Sequence, residues 1–139
     1  MEQGEKVRFL LMQKIDILKK IAAKTEIQCR FIHKREMTGL KRAIRERDDL
    51  IEEIVTIDRE LARDQSWKNM QHLMPILREI DNQQQAIIDR SHQVLQEAII
   101  EKSRIASEFK HSKVRRQVKS QYINPWAVVA RGSRINERG

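Results

Sequence analysis

The sequence is poor in the residues that punctuate and fill β-structure. Among 139 residues there are four glycines, two prolines and six aromatics. Sandwiches, barrels and βαβ units need frequent turn residues and aromatic or β-branched strands, so these architectures are excluded. A single cysteine, Cys29, excludes an internal disulfide and fits a reducing compartment. No apolar run approaches the ~20 residues that span a bilayer, and the first residues Met1-Glu2-Gln3-Gly4-Glu5 carry no basic signal-peptide region. A cytoplasmic protein without a membrane span is expected.

What remains is rich in Lys, Arg, Glu, Gln, Ile, Leu and Ala, with 35% charged residues, the balance of long helices. The net charge of +8 is unevenly placed. Residues 1–101 are neutral, whereas residues 102–139 hold ten basic and two acidic residues. A neutral body with a basic end points to an end with its own partner.

The apolar positions repeat in steps of three and four. A first ladder reads Leu11, Ile15, Leu18, Ala22, Thr25, Cys29, Ile32. It weakens at Glu36 and Gly39 and resumes one position out of register as Leu40, Ile44, Arg47, Ile51, Ile54, Asp58, Leu61. The slip marks a kink or break near Gly39, with one long helix over about 5–63 favoured over two helices in a sharp turn. Residues 64–69 lose the period and read as the connection, with Pro75 in the first turns of the next helix. A second ladder over about 70–119 reads Leu73, Leu77, Ile80, Gln84, Ile87, Ser91, Val94, Ala98, Glu101, Ile105. The expected fold is all-α: a long antiparallel helical hairpin or coiled-coil bundle over 1–120, with an extended basic and aromatic tail over 121–139.

Two paired rods leave apolar side chains uncovered. Leu10, Ile17, Ile21, Ile27 and Phe31 lie off the first ladder; Ile88, Leu95, Ile99, Ile100 and Phe109 flank the second. Such rows ask for a covering partner: another protein's helix, a second copy, or the chain's own tail. The flanking residues of the second helix are therefore the candidate groove. Tyr122, Ile123 and Trp126, beside Pro125, form a candidate aromatic docking element or pack back on the body. Lys110, Lys113, Arg115, Arg116 and Lys119 are a basic patch that complements a helix C-terminus or grips phosphates, the latter being the lesser reading.

No phosphate-binding glycine loop, dinucleotide fingerprint or nucleophile elbow is present. No enzyme activity and no cofactor are expected. Cys29 and His33 stand four apart on one helical side, a possible half of a metal site whose other half the sequence does not reveal, so an ordinary surface or seam position is preferred. Asp48-Asp49 with Glu52-Glu53 reads as a solvated face paired with Arg42, Arg45 and Arg47.

The stretch from Arg35 to Leu61, with its Glu46-Arg47-Asp48-Asp49-Leu50-Ile51 core, resembles the middle of FlgN/FliT-type flagellar export chaperones. The resemblance implies a helical protein that binds the C-terminal helices of hook–filament junction or cap subunits and presents them to the export gate. It further implies that Tyr122, the sole tyrosine, takes part in gate docking. A nucleic-acid- or ribosome-associated helical protein and a self-associating coiled coil are the competing expectations.

Overall fold

A computed structural model describes residues 2–110, and these fold as a three-helix arrangement. Helix α1 runs over Glu2–Lys34, α2 over Met37–Ala62 and α3 over Met74–Phe109. Two short 3-10 turns, Ser66–Asn69 and Gln71–Leu73, join α2 to α3. Helices α1 and α2 are antiparallel: Lys6 pairs with Glu60, Lys14 with Asp58 at 2.7 Å and Lys24 with Glu46. Helix α3 runs parallel to α1, since Glu26 meets Arg90 and Arg35 meets Glu101. Helix α1 is central and approaches both others closely, whereas α2 and α3 approach each other less closely.

The break expected near Gly39 is a full reversal, and it falls at Arg35-Glu36. Arg35 adopts the left-handed conformation (φ 55°). The Glu36 amide donates to the Phe31 carbonyl (2.9 Å) and the Arg35 amide to that of Ile32 (3.1 Å). This pair of bonds is the Schellman closure, which satisfies carbonyls that a helix end leaves orphaned. A non-glycine residue in this conformation costs about 1–2 kcal/mol. The Arg35 guanidinium offsets that cost by bridging Glu101 and Glu108 on α3. The favoured single helix over 5–63 is thus replaced by two. The heptad ladder could not reveal this, because a reversal that keeps the same face inward looks like a small slip of phase.

Gly39 itself is helical and lies inside α2. Its role is spatial: a Cβ there would sit 2.6 Å from the Phe31 ring.

The reversal adds a third helix to the core and changes what is covered. Ile17 and Ile21, expected off the seam, are 7% and 3% exposed. Leu10 and Phe31 pack half-buried against the core. A central helix with two neighbours buries a wider stripe than a hairpin rod. The second ladder is buried as read at Leu73, Ile80, Ile87, Ser91, Val94, Ala98, Glu101 and Ile105. Trp67, placed by its sequence in a polar connection, is 8% exposed and donates its indole N–H to the Leu61 carbonyl at 3.0 Å, closing the lower end of the core.

A polar layer divides the interior. Below it lies a cluster built around Leu11, Leu18, Ile57 and Leu73; above it lies one built around Ile32, Leu40, Val94 and Ile105. Arg47, 2% exposed, fills the layer. Its Nε donates to Thr25 Oγ1 (3.0 Å) and its Nη2 to Ser91 Oγ (2.8 Å). Arg47 therefore does not join the solvated acidic face expected around Asp48. Asp48 is itself half-buried, with Oδ1 enclosed and without a hydrogen-bond partner among the described residues. Burial raises its carboxyl above the ordinary range, against the pull of the neighbouring Arg47 charge.

Candidate functional site

The α3 flank and the α1–α3 seam carry the candidate functional residues. Along α3, Ile88, Leu95 and Ile99 follow one another in steps of seven and four and so share a flank. The structure separates the predicted groove residues by burial. Ile88 is half-buried, and Leu95 and Phe109 pack half-buried on the upper cluster. Ile99 and Ile100 remain 55% and 52% exposed. Of the five, only these two present most of their side chains to solvent. Phe9 (66%) and Met12 (44%) form a second exposed apolar pair, one helical turn apart on α1, that sequence reasoning missed. A signal for it exists in the sequence, since both lie outside the ladder that starts at Leu11. Lys110 is exposed at the end of α3. The rest of the predicted basic patch (Lys113, Arg115, Arg116, Lys119) and the tail residues Tyr122, Ile123 and Trp126 lie outside the described residues.

The seam between α1 and α3 is where the polar groups converge. A cleft of about 460 Å³ opens there, with Ala22, Thr25, Ala86 and Ile87 among its lining residues and Glu26 and Arg90 at its edge. Small side chains at positions 22 and 86 leave the space. Among the described residues the lining shows no paired nucleophile and base. Arg90 grips Glu26 with two bonds, Nε to Oε2 at 2.7 Å and Nη2 to Oε1 at 2.9 Å. This fork geometry holds the Glu26 carboxyl below its ordinary range.

One turn higher, Cys29 and His33 face Glu97. The Cys29 thiol donates to Glu97 Oε2 at 2.8 Å, and His33 Nε2 lies 3.2 Å from the same oxygen. Burial, reinforced by the adjacent Glu97, pushes the thiol up to about 11. The bond from Cys29, then that from His33, lowers the Glu97 carboxyl. At the top, Arg35 lowers the Glu108 carboxyl in the same way. The carboxylates of Glu26, Glu97 and Glu108 on this seam therefore lie below the value of an unfolded chain. Their contribution to stability is complete above pH about 4.5 and is lost as pH falls through the folded values. The midpoint of urea unfolding is expected to drop between pH about 5 and 3. Glu26→Gln should lower the midpoint at pH 7 and flatten the decline; an unaltered pH profile in that variant would remove Glu26 from this account.

The described residues include no helix long and apolar enough to cross a membrane. Compared with protein-family models, curated proteins and solved structures, this chain matches none.

Proposed function

We propose that this protein is a non-catalytic helix-capture protein of the export-chaperone kind, which shields one amphipathic helix of a partner along the α3 flank. The carrying observation is that Ile99, on the flank it shares with Ile88 and the half-buried Leu95, is more than half exposed, as is Ile100 about 100° further round the helix. Isoleucine side chains gain about 1.5–3 kcal/mol each when fully removed from water, which favours a partner's apolar stripe there. The resemblance of residues 35–61 to flagellar export chaperones supports the reading too. On that basis the cargo class is the C-terminal helices of hook–filament junction or cap subunits, and the tail with Tyr122 is the element offered to the export gate.

The test uses the full chain and synthetic C-terminal helices of such subunits. Ile99→Asp with Ile100→Asp is expected to weaken binding by about a hundredfold or more while thermal stability is unchanged. Leu95 is left intact because it packs on the core. Wild-type affinity in the double variant would end the helix-capture reading. Raising salt from about 50 to 200 mM should barely alter apolar docking; a steep fall would instead favour the phosphate-gripping reading. Sedimentation over a concentration series separates partner capture from self-association.

A further inference from the structure

We propose that Cys29, His33 and Glu97 form an open, three-ligand site for a zinc-class divalent cation on the α1–α3 seam. The three side chains supply a sulfur, an imidazole nitrogen and a carboxylate oxygen, all within 4.8 Å of one another. This is the donor set that zinc and similar borderline metals prefer. A tetrahedral zinc shell has donor–donor edges of about 3.3–3.8 Å. Glu97 Oε2 already stands 2.8 Å from Cys29 Sγ and 3.2 Å from His33 Nε2, so modest rotations of the His33 and Glu97 side chains open the space an ion needs.

The backbone preorganises the set. Cys29 and His33 lie one turn apart on α1, the spacing that places two ligands on one helical face. Glu97 comes from α3, which runs alongside. An ion held by all three would clamp α1 to α3 between the Arg90–Glu26 and Arg35–Glu101 pairs. A thiolate, a carboxylate and a neutral imidazole balance a dication, with the thiol proton passing to solvent on binding. Arg90 Nη2 lies 3.5 Å from the sulfur, but its charge is already matched by Glu26. The entrance is open: the His33 and Glu97 side chains are 53% and 34% exposed. The fourth position therefore faces solvent and would hold water or an external ligand, as in metal sites that are not purely structural.

Cobalt(II) is the probe, because a thiolate bound to it gives a charge-transfer band that carboxylate and imidazole ligands alone do not. Cys29 is the sole cysteine, so the band reports this site alone. Titrating the full chain with Co²⁺ is expected to produce the band with one ion per chain, tetrahedral visible absorption, and displacement by Zn²⁺. Cys29→Ser should abolish the band. His33→Gln and Glu97→Gln should each weaken Co²⁺ binding about tenfold or more, while circular dichroism shows the helices intact. Absence of the band at millimolar Co²⁺ would overturn the proposal. So would equal affinity in the His33→Gln and Glu97→Gln variants, which would mean that other ligands complete the cysteine's site. One ion per two chains would overturn it as well and assign the metal to a contact between copies.

Discussion

Gly39→Ala is expected to lower stability by about 1–3 kcal/mol, the usual cost of forcing a methyl into a filled space. Helix propensity alone gives the opposite sign, since alanine is favoured over glycine by up to about 1 kcal/mol in a helix, and Gly39 stands in the first turn of α2. The clash decides it. An alanine Cβ would lie 2.6 Å from Phe31 Cε1 and Cζ and 2.9 Å from Cδ1. The ring must shift for the methyl to fit, and Phe31 is packed half-buried against the upper cluster. A second substitution isolates the cause. In a Phe31→Ala background the clash is gone, and Gly39→Ala should then raise stability by roughly the propensity difference. Urea unfolding of the four proteins measures the coupling. A higher midpoint for Gly39→Ala alone would show that the ring yields and that close packing at the reversal is unimportant.

Arg47 carries the second large effect, with opposite outcomes for two substitutions. Its side chain is almost fully buried, and desolvation drives the guanidinium well below its ordinary value, to about 10, despite the favourable Asp48 charge. A base whose folded value is lowered is penalised wherever it is charged, so the cost is fully present at neutral pH. A shift of that size corresponds to on the order of 3 kcal/mol. Arg47→Ala removes the charge but leaves a cavity and strips Ser91 of its Arg47 bond, and about 2–4 kcal/mol of destabilisation is expected. Arg47→Met removes the charge and keeps most of the volume. Thr25 retains its own bond to the Ile21 carbonyl at 2.9 Å. Methionine is therefore expected to match or exceed the wild-type midpoint, as buried ions replaced by apolar groups of similar size often do. A loss as large as that of alanine would show that the hydrogen bonds to Thr25 and Ser91 outweigh desolvation. If methionine is tolerated, the arginine layer serves alignment: sliding α2 along its neighbours would move the guanidinium away from both hydroxyls into apolar surroundings.

The core stripe is legible along the chain even where its members are polar. Thr25, Arg47, Ser91 and Glu101 stand on the apolar ladders, and all four are buried. Periodicity marks direction, and direction is a local property of an α-helix. Ile17 and Ile21 escape that reading for the same reason, because periodicity counts faces and cannot count neighbours. The candidate site is legible in part. Ile99 and Ile100 flank the ladder and stay exposed, but Leu95 and Phe109 are half-covered by side chains distant in sequence.

The sequence by itself determined that this chain is helical, where each helix turns its apolar side, and that its positive charge gathers at one end. These follow from composition and from spacings of three and four residues, which act over a single turn. Only the tertiary structure decided that the chain reverses at Arg35, that the Arg47 guanidinium meets the Thr25 and Ser91 hydroxyls, and that Glu97 completes a cluster with Cys29 and His33. Each depends on residues far apart along the chain. The backbone that brings them together is set by packing of the whole core, and that packing leaves no local trace.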